Sequence, residues 1–262
     1  MKRVLTAAVL VPVFLWVILA APSVVFFIVL AAVASLCFFE YSNIAAQHLG
    51  DAPGFARNPI GYGAGLVMLV LPGQEITFLC LLALIVMIQS LRATSLKQSL
   101  PMSSFIVLGV VYTYGAWRCA AGLRAISPWW LLFALAINWV GDTFAYYFGR
   151  MLGRHKLAPA VSPGKSWEGT IASLLGTIVL GILYLNYFLP NVGLWQAAAL
   201  CCAGNLAGQL GDLCESAFKR GAGVKDSGNL LPGHGGWLDR VDSSLFSLPV
   251  VYWMIEQPWF LR

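Results

Sequence analysis

Long apolar runs, separated by short polar turns, dominate the pattern of hydrophobic and polar positions along the chain. Nine runs occur, at residues 4–21, 24–39, 60–71, 76–91, 104–123, 129–148, 170–188, 194–213 and 243–255. Most of them approach or exceed the ~20 residues with which an α-helix crosses a bilayer. The pattern predicts an all-α, polytopic integral membrane protein with about nine transmembrane helices. The run at 60–71 is short, and a re-entrant segment is the alternative to a full span there.

Composition agrees with this fold class. Hydrophobic residues make up 59% of the 262 residues and charged residues only 10%, which is too little polarity to cover a soluble domain. The six cysteines lie in apolar segments without the spacing of a metal site or a disulfide framework, so we interpret them as small buried residues. The net charge of +5 favours phosphate ligands and anionic lipid, and it gives no reason to expect a nucleic acid partner.

The distribution of Lys and Arg predicts the orientation of the helices. If 60–71 crosses the membrane, thirteen of the sixteen Lys and Arg residues share one side, which should be the cytoplasm. Without that span, Lys2 and Arg3 would face away from the other basic loops. We therefore expect a cytoplasmic amino terminus on an uncleaved first helix. Residues 1–127 form an amino-terminal membrane region of about five spans, and residues 128–262 form a second membrane region with cytoplasmic loops at 149–168 and 219–242.

Two predicted spans carry polar side chains at helical spacing. In the span at 129–148, Asn138, Asp142 and Tyr146 recur every four residues. The span at 194–213 and its continuation carry Asn205, Gln209, Asp212, Ser216 and Lys219 at helical spacing, with Glu215 beside them. An ionisable group at the centre of a span costs about 2.5–3.5 kcal/mol, so these stripes should face protein or water. For Asn138 and Asn205, hydrogen bonding between helices explains the polar side chain as well as a role in a functional site does.

The acidic residues of the second stripe need a cation. Lys219 lies one turn after Glu215 and can form an ion pair with it. Asp212 has no neighbour in the sequence that would neutralise it. Mg²⁺ binds through one or two carboxylates together with substrate phosphate oxygens, so a shared aspartate pair would suit this metal.

The segment 216–242, "SAFKRGAGVKDSGNLLPGHGGWLDRVD", supplies further candidate ligands. It holds four basic residues, three aspartates, one histidine and six glycines. Successive backbone N–H groups in glycine-rich turns can hold an anion, so the run 233–236 is a candidate phosphate-binding turn. A plain linker has no need for this density of charge.

The stretch "SPGKSWEG" at 162–169 contains a Gly-Lys-Ser tripeptide, but it is not a P-loop. That motif requires glycine at position 159, where Pro159 stands. Ser166 is a candidate N-cap with Glu168 in the first turn of the next helix, so Lys165 should precede a helix amino terminus that attracts anions. The alternative is that Lys165 is an ordinary lysine of the membrane interface.

These motifs resemble the phosphatidate cytidylyltransferases, also called CDP-diacylglycerol synthases. The long fixed-spacing signature of that family is matched by Ser216, Lys219, Arg220, Lys225, Asp226, Gly228, Pro232, His234, Gly235, Gly236, Asp239, Arg240 and Asp242. Trp237 departs from the usual aliphatic residue or Phe without removing a charged group. The segment 162–169 is similar to an upstream element of the same family. The resemblance is strong over about 138–242, and the first five spans match only as generic hydrophobic helices.

The resemblance implies transfer of a cytidylyl group from CTP to phosphatidic acid, giving CDP-diacylglycerol and pyrophosphate, with Mg²⁺ as cofactor. The setting would be phospholipid biosynthesis at the cytoplasmic face of the plasma membrane. It points to Asp212 and Asp239 as the metal-holding pair, with Asp226 and Asp242 as further candidate ligands. A second metal ion and a homodimer are left open.

Roles follow for the remaining candidate residues. We expect Lys219, Lys225 and His234 to act with the two aspartates in catalysis. The candidate substrate-binding residues are Lys165, Ser166, Arg220, Gly235, Gly236, Arg240 and Asp142.

Two other functions would also use polar groups in membrane helices. A CTP-dependent lipid kinase of the dolichol kinase type would transfer the terminal phosphoryl group instead, and the long signature match argues against it. A secondary transporter would hold its polar residues at mid-bilayer between inverted repeats. Here the charges gather at helix ends and in loops, and no inverted repeat is evident.

Overall fold

The computed structural model describes residues 2–50, 55–71, 73–92, 95–230, 235–258 and 260, and for residues 2–10 and 56 it describes the backbone alone. Helices make up most of this part of the chain. Their bounds are α1 (Lys2–Leu19), α2 (Ser23–His48), α3 (Pro59–Val70), α4 (Glu75–Ser90), α5 (Ser99–Gly109), α6 (Ala116–Ile126), α7 (Pro128–Leu152), α8 (Trp167–Phe188), α9 (Leu194–Gly221) and α10 (Leu238–Glu256). The all-α prediction is confirmed.

Two short 3₁₀ helices and one π-helical segment complete the helical structure. The 3₁₀ helices are Phe55–Arg57 and Leu96–Gln98, and the π-helical segment Val110–Gly115 joins α5 and α6 into one continuous rod. With α5 and α6 counted as one, the ten α-helices in the described part of the chain form nine continuous rods, one for each apolar run of the sequence.

Four of these rods are long and apolar enough to cross a membrane: α2, the rod Leu96–Ile126, α7 and α8. The helices α3 and α4 are apolar but shorter. The protein is thus a membrane protein with several apolar helices, while the count of nine spans stays a prediction. Hydropathy also underestimated some helix lengths, because α2 and α9 continue past the apolar runs that end at residues 39 and 213.

The helices α7 to α10 pack around the two polar stripes. Asn138 on α7 donates from Nδ2 to Ser247 Oγ of α10 at 2.8 Å, and Asn205 on α9 donates to Ser173 Oγ and Thr177 Oγ1 of α8 at 3.0 Å each. Both asparagines are buried. Helix–helix hydrogen bonding is therefore their role here, and each such bond is worth about 0.6 kcal/mol on average in a membrane.

The connections after α7 and α9 lie on the same face of the helix bundle. After α7 the chain forms an antiparallel hairpin of β1 (Lys156–Ala158) and β2 (Ser162–Ser166), which the all-α prediction had treated as loop. Arg220, near the end of α9, reaches this hairpin by donating from Nε to the Val161 carbonyl at 3.4 Å. The other end of the α9–α10 connection leads into α10, which packs against α2 and α6 as well as α7 and α9.

We expect this shared face to be cytoplasmic, which single cysteines can test. In a background without the six native cysteines, Gly164→Cys and Asn229→Cys should resist an impermeant thiol reagent in intact cells and react after the membrane is opened. Both positions are exposed. Gly228 is unsuitable, because a Cβ there would lie 2.6 Å from Glu40 Oε1. Labelling of either cysteine in cells of verified integrity would reverse the predicted orientation.

Candidate active site

The hairpin carries Lys165 to the amino terminus of α8. Ser166 is the N-cap of α8, and its Oγ accepts a hydrogen bond from the Gly169 N–H at 3.2 Å, as the sequence predicted. Glu168, in the first turn, contacts His155 with 2.6 Å between Oε1 and Nδ1. The His155 N–H also points at this carboxylate. The hairpin is therefore fastened to the first turn of α8.

Lys165 forms an ion pair with Asp212 of α9. The distance between Lys165 Nζ and Asp212 Oδ2 is 2.6 Å, and both side chains are partly exposed. Ser216 Oγ, one turn further along α9, lies 3.3 Å from Asp212 Oδ1. Asp212 thus has the cation that its sequence neighbours did not supply, and this cation comes from a separate loop.

This ion pair lies in a cleft of about 710 Å³ between α7, the hairpin, the start of α8 and α9. Its charged and polar lining comprises Asp142, Tyr146, Arg150, Lys156, Ser162, Lys165, Ser166, Thr170, Gln209 and Asp212. A volume of this size suits a small-molecule ligand. Three cations against two carboxylates make the cleft suitable for an anionic ligand. Sequence reasoning named neither Arg150 nor Lys156 as a site residue, although both belong to the basic loop at 149–168.

A second charged cluster lies around Lys219. Its Nζ is 2.6 Å from Asp239 Oδ1 and also contacts Glu215 Oε2 one turn earlier on α9. Glu215 is completely buried and Lys219 is 8% exposed, so both charges are shielded from solvent. The predicted pairing of Glu215 with Lys219 is confirmed. The ammonium group is held between two carboxylates, and the sequence did not predict the second of them, Asp239, as its partner.

Asp239, in the first turn of α10, accepts hydrogen bonds from the backbone as well as from Lys219. The Ser227 N–H lies 3.0 Å from Oδ2, and the Gly236 N–H donates to the same oxygen at 2.9 Å. Gly235 has a φ of +78°, which glycine adopts without strain and which forms the turn before Gly236. In this structure the Gly236 N–H serves Asp239, whereas the sequence predicted a phosphate ligand for it.

Glu40 is a residue of this cluster that sequence reasoning missed. It lies on α2, is fully buried, and accepts hydrogen bonds from Ser227 Oγ at 2.8 Å, Trp237 N at 3.1 Å and Leu238 N at 2.8 Å. One signal was available, because Glu40 is the sole Asp or Glu among residues 1–50. It directly follows the apolar run 24–39, and an ionisable group at the end of a membrane helix is costly unless it has a partner or a function.

Three carboxylates from different helices interact electrostatically. Asp142, Asp212 and Asp242, from α7, α9 and α10, lie within electrostatic range of one another. Within the described ranges, no three His, Cys, Asp or Glu side chains are arranged to hold a metal ion by themselves. Mg²⁺ needs only one or two carboxylates when phosphate oxygens complete its shell. The chemistry of this donor set therefore fits a hard divalent cation that arrives with a phosphate ligand.

The other predicted site residues lie on or near the α9–α10 connection. Arg220 donates to the carbonyls of Val161 and Val224, so it joins the connection to the hairpin. Lys225, Asp226 and Arg240 are exposed. His234 lies outside the described residues. The structure thus brings Asp142, Lys165, Ser166 and Asp212 together in the cleft, and groups Lys219, Gly235, Gly236 and Asp239 around the connection.

The fold and the site define a membrane protein with a polar cleft, lined by cations and carboxylates, at one end of its helices. A sequence model of the cytidylyltransferase family matches residues 1–257. The chain belongs to this family.

Individual relatives agree over nearly the whole chain. A Staphylococcus aureus (strain COL) protein named phosphatidate cytidylyltransferase is 34% identical over 262 residues, covering 97% of this chain and 98% of the relative. A protein of the same name from Staphylococcus haemolyticus (strain JCSC1435) is 34% identical over 263 residues, with the same coverage of both chains. The one from Staphylococcus epidermidis (strain ATCC 35984) is 41% identical over 154 residues, 59% of this chain and 56% of the relative. The similarity therefore extends well beyond residues 138–242.

Proposed function

We propose that the protein transfers the cytidylyl group of CTP to phosphatidic acid, forming CDP-diacylglycerol and releasing pyrophosphate. The observation that carries this proposal is the Lys165–Asp212 pair inside a cleft of cations and carboxylates. A site for phosphate chemistry needs both charges: cations for the substrate phosphates and carboxylates for a metal. The family membership of the chain supports the same reaction.

The reaction requires little proton transfer by groups of the protein. The attacking oxygen belongs to a lipid phosphate that is already anionic at neutral pH, so a strong general base is not required. A new bond forms between this oxygen and the α-phosphorus of CTP, and the bond from that phosphorus to pyrophosphate breaks. The main obstacle is the repulsion between two polyanions. Fixed cations such as Lys165, Arg150 and Lys156 lower it by neutralising phosphate charge.

We further propose that Asp212 and Asp239 hold Mg²⁺, with Asp226 and Asp242 as additional candidate ligands. When bound, the ion would neutralise phosphate oxygens and orient the substrates. Lys165 pairs with Asp212 and Lys219 pairs with Asp239, so each of the two aspartates has a cation partner within the protein.

The proposed setting is the cytoplasmic face of the plasma membrane, where the protein is multi-pass. CTP would enter the cleft from water and phosphatidic acid from the leaflet, since the cleft lies at the end of membrane helices. A homodimer and a second metal ion remain predictions.

A product test separates the reaction from its alternatives. Purified protein in detergent would receive phosphatidic acid, Mg²⁺ and CTP labelled with radioactive phosphorus at either the α or the γ position. We expect label in the lipid from the α position alone, with Asp212→Asn protein as the inactive control. Label from the γ position would indicate a lipid kinase. Absence of lipid label from either position would reject both transferases and favour a transport role.

A further inference from the structure

Glu40 lies in the amino-terminal half of the chain, yet its carboxylate contacts the connection between α9 and α10. The side chain is fully buried. Burying an ionised carboxylate costs several kcal/mol unless hydrogen bonds compensate for the lost water. Three donors of the connection and of α10 approach its two oxygens. This segment therefore provides the compensation, which ties it to α2.

Two of these donors belong to the amino terminus of α10. Trp237 is the N-cap residue and its own side chain makes no capping hydrogen bond, while Leu238 is the first residue of the helix. Glu40 accepts from both of their N–H groups, so α2 supplies the cap that the sequence around α10 lacks. The negative charge also suits the positive end of the helix dipole. The start of α10 is thereby fixed relative to α2.

The connection is shaped to fit this carboxylate. A Cβ atom on Gly236 would lie 2.3 Å from Glu40 Oε2, and one on Gly228 would lie 2.6 Å from Glu40 Oε1. Real Cβ atoms do not approach a neighbour this closely. The two glycines therefore allow the backbone to close around Glu40 from both sides.

Ser227 links Glu40 to Asp239. Its hydroxyl donates its single hydrogen to Glu40 Oε2 and accepts from the Asp239 N–H at 3.3 Å. Its own N–H donates to the Asp239 carboxylate. We propose that Glu40 is a positioning residue for the active site: by fixing Ser227 and the start of α10, it sets where the Asp239 carboxylate meets Lys219. This proposal rests on the proposed function, in which Asp239 acts.

The proposed effect on catalysis comes from displacement of Asp239. Glu40→Gln keeps the size of the side chain but replaces one acceptor oxygen with an NH₂ group that faces N–H or O–H donors. The segment must then shift to relieve this contact. A misplacement of ~1 Å in a catalytic group can cost on the order of 10²-fold in rate, so we expect kcat to fall about 10- to 100-fold. KM for CTP should change less, since Glu40 does not line the cleft.

The first measurement is hydrogen exchange, which requires no activity. Wild-type, Glu40→Gln and Glu75→Gln proteins in detergent would be compared by mass spectrometry. The control Glu75→Gln makes the same chemical change at a carboxylate near Arg118, away from the connection. We expect faster exchange at 224–230 and 235–240 in Glu40→Gln alone, with melting within about 3 °C of wild type.

The second measurement is steady-state kinetics on the same three proteins. The proposal predicts the loss of kcat in Glu40→Gln, while Glu75→Gln should stay within about twofold of wild type. If Glu40→Gln does not accumulate in the membrane, Ser227→Ala takes its place, since it removes the hydroxyl bridge between Glu40 and the Asp239 N–H without leaving the Trp237 and Leu238 N–H groups unpaired.

The outcomes are distinct. Faster hydrogen exchange confined to 224–230 and 235–240 in Glu40→Gln, together with a reduced kcat, supports the proposal. A kcat within about twofold of wild type overturns it, and so does faster exchange throughout all helices with a large fall in melting temperature, because the role would then be structural only. If wild-type protein transfers no cytidylyl group, the proposed function fails, while the exchange data still decide whether Glu40 holds the connection.

Discussion

Replacing either Asp212 or Asp239 by Asn is expected to lower kcat/KM for CTP at least about 10³-fold in folded protein, the upper range for loss of one electrostatic stabiliser. The two residues come from different elements, α9 and α10, and each is neutralised by a lysine in the structure. If they hold one metal ion together, losing either ligand removes the same function. The double variant should therefore cost little more than the worse single variant, because groups that act as a unit are not additive.

The two single variants should differ in stability. Asp212 is partly exposed, so Asp212→Asn should fold nearly as well as wild type. Asp239 accepts from Lys219 and from two backbone N–H groups, so Asp239→Asn disturbs the α9–α10 connection as well.

Kinetics on monodisperse protein, with melting curves for each variant, would test this prediction. Glu256→Gln, at the opposite end of α10, is the matched control and should retain activity within about twofold. Fully additive losses, or near-normal turnover in either single variant, would contradict a shared metal site.

Replacing Lys165 by Ala is expected to lower kcat/KM by about 30- to 1000-fold, which corresponds to roughly 2–4 kcal/mol of transition-state stabilisation. The Lys165 and Asp212 side chains are 26% and 30% exposed, so their ion pair should contribute no more than about 1 kcal/mol to folding. The loss should therefore appear in catalysis and hardly in the melting temperature. Lys165→Arg should restore activity only in part, because a guanidinium does not reproduce the geometry of an ammonium group.

Lys97→Ala is the control for this experiment. Lys97 is an exposed lysine on the predicted cytoplasmic side and lies outside the cleft. Its replacement should leave kcat/KM within about twofold. If Lys165→Ala behaves in the same way with each substrate varied in turn, Lys165 is an ordinary interfacial lysine and its phosphate-binding role is wrong.

The sequence alone determined the features that depend on local spacing. Each of the nine apolar runs became one helical rod, because helix formation and membrane burial both follow the hydrophobicity of consecutive residues. The Ser166 cap and the Glu215–Lys219 pair were also predictable, since their partners lie three and four residues apart. Hydropathy did not predict where helices such as α9 end, because a helix can continue through polar residues beyond the apolar layer.

Only the tertiary structure decided which charges neutralise each other. Lys165 reaches Asp212, Lys219 also reaches Asp239, and Glu40 holds a segment nearly two hundred residues away. Helical periodicity shows which face of a helix is polar, but it does not show which loop or helix packs there. That choice depends on the combined packing of α2, α9 and α10, and burial makes it energetically decisive, since each shielded charge requires a partner.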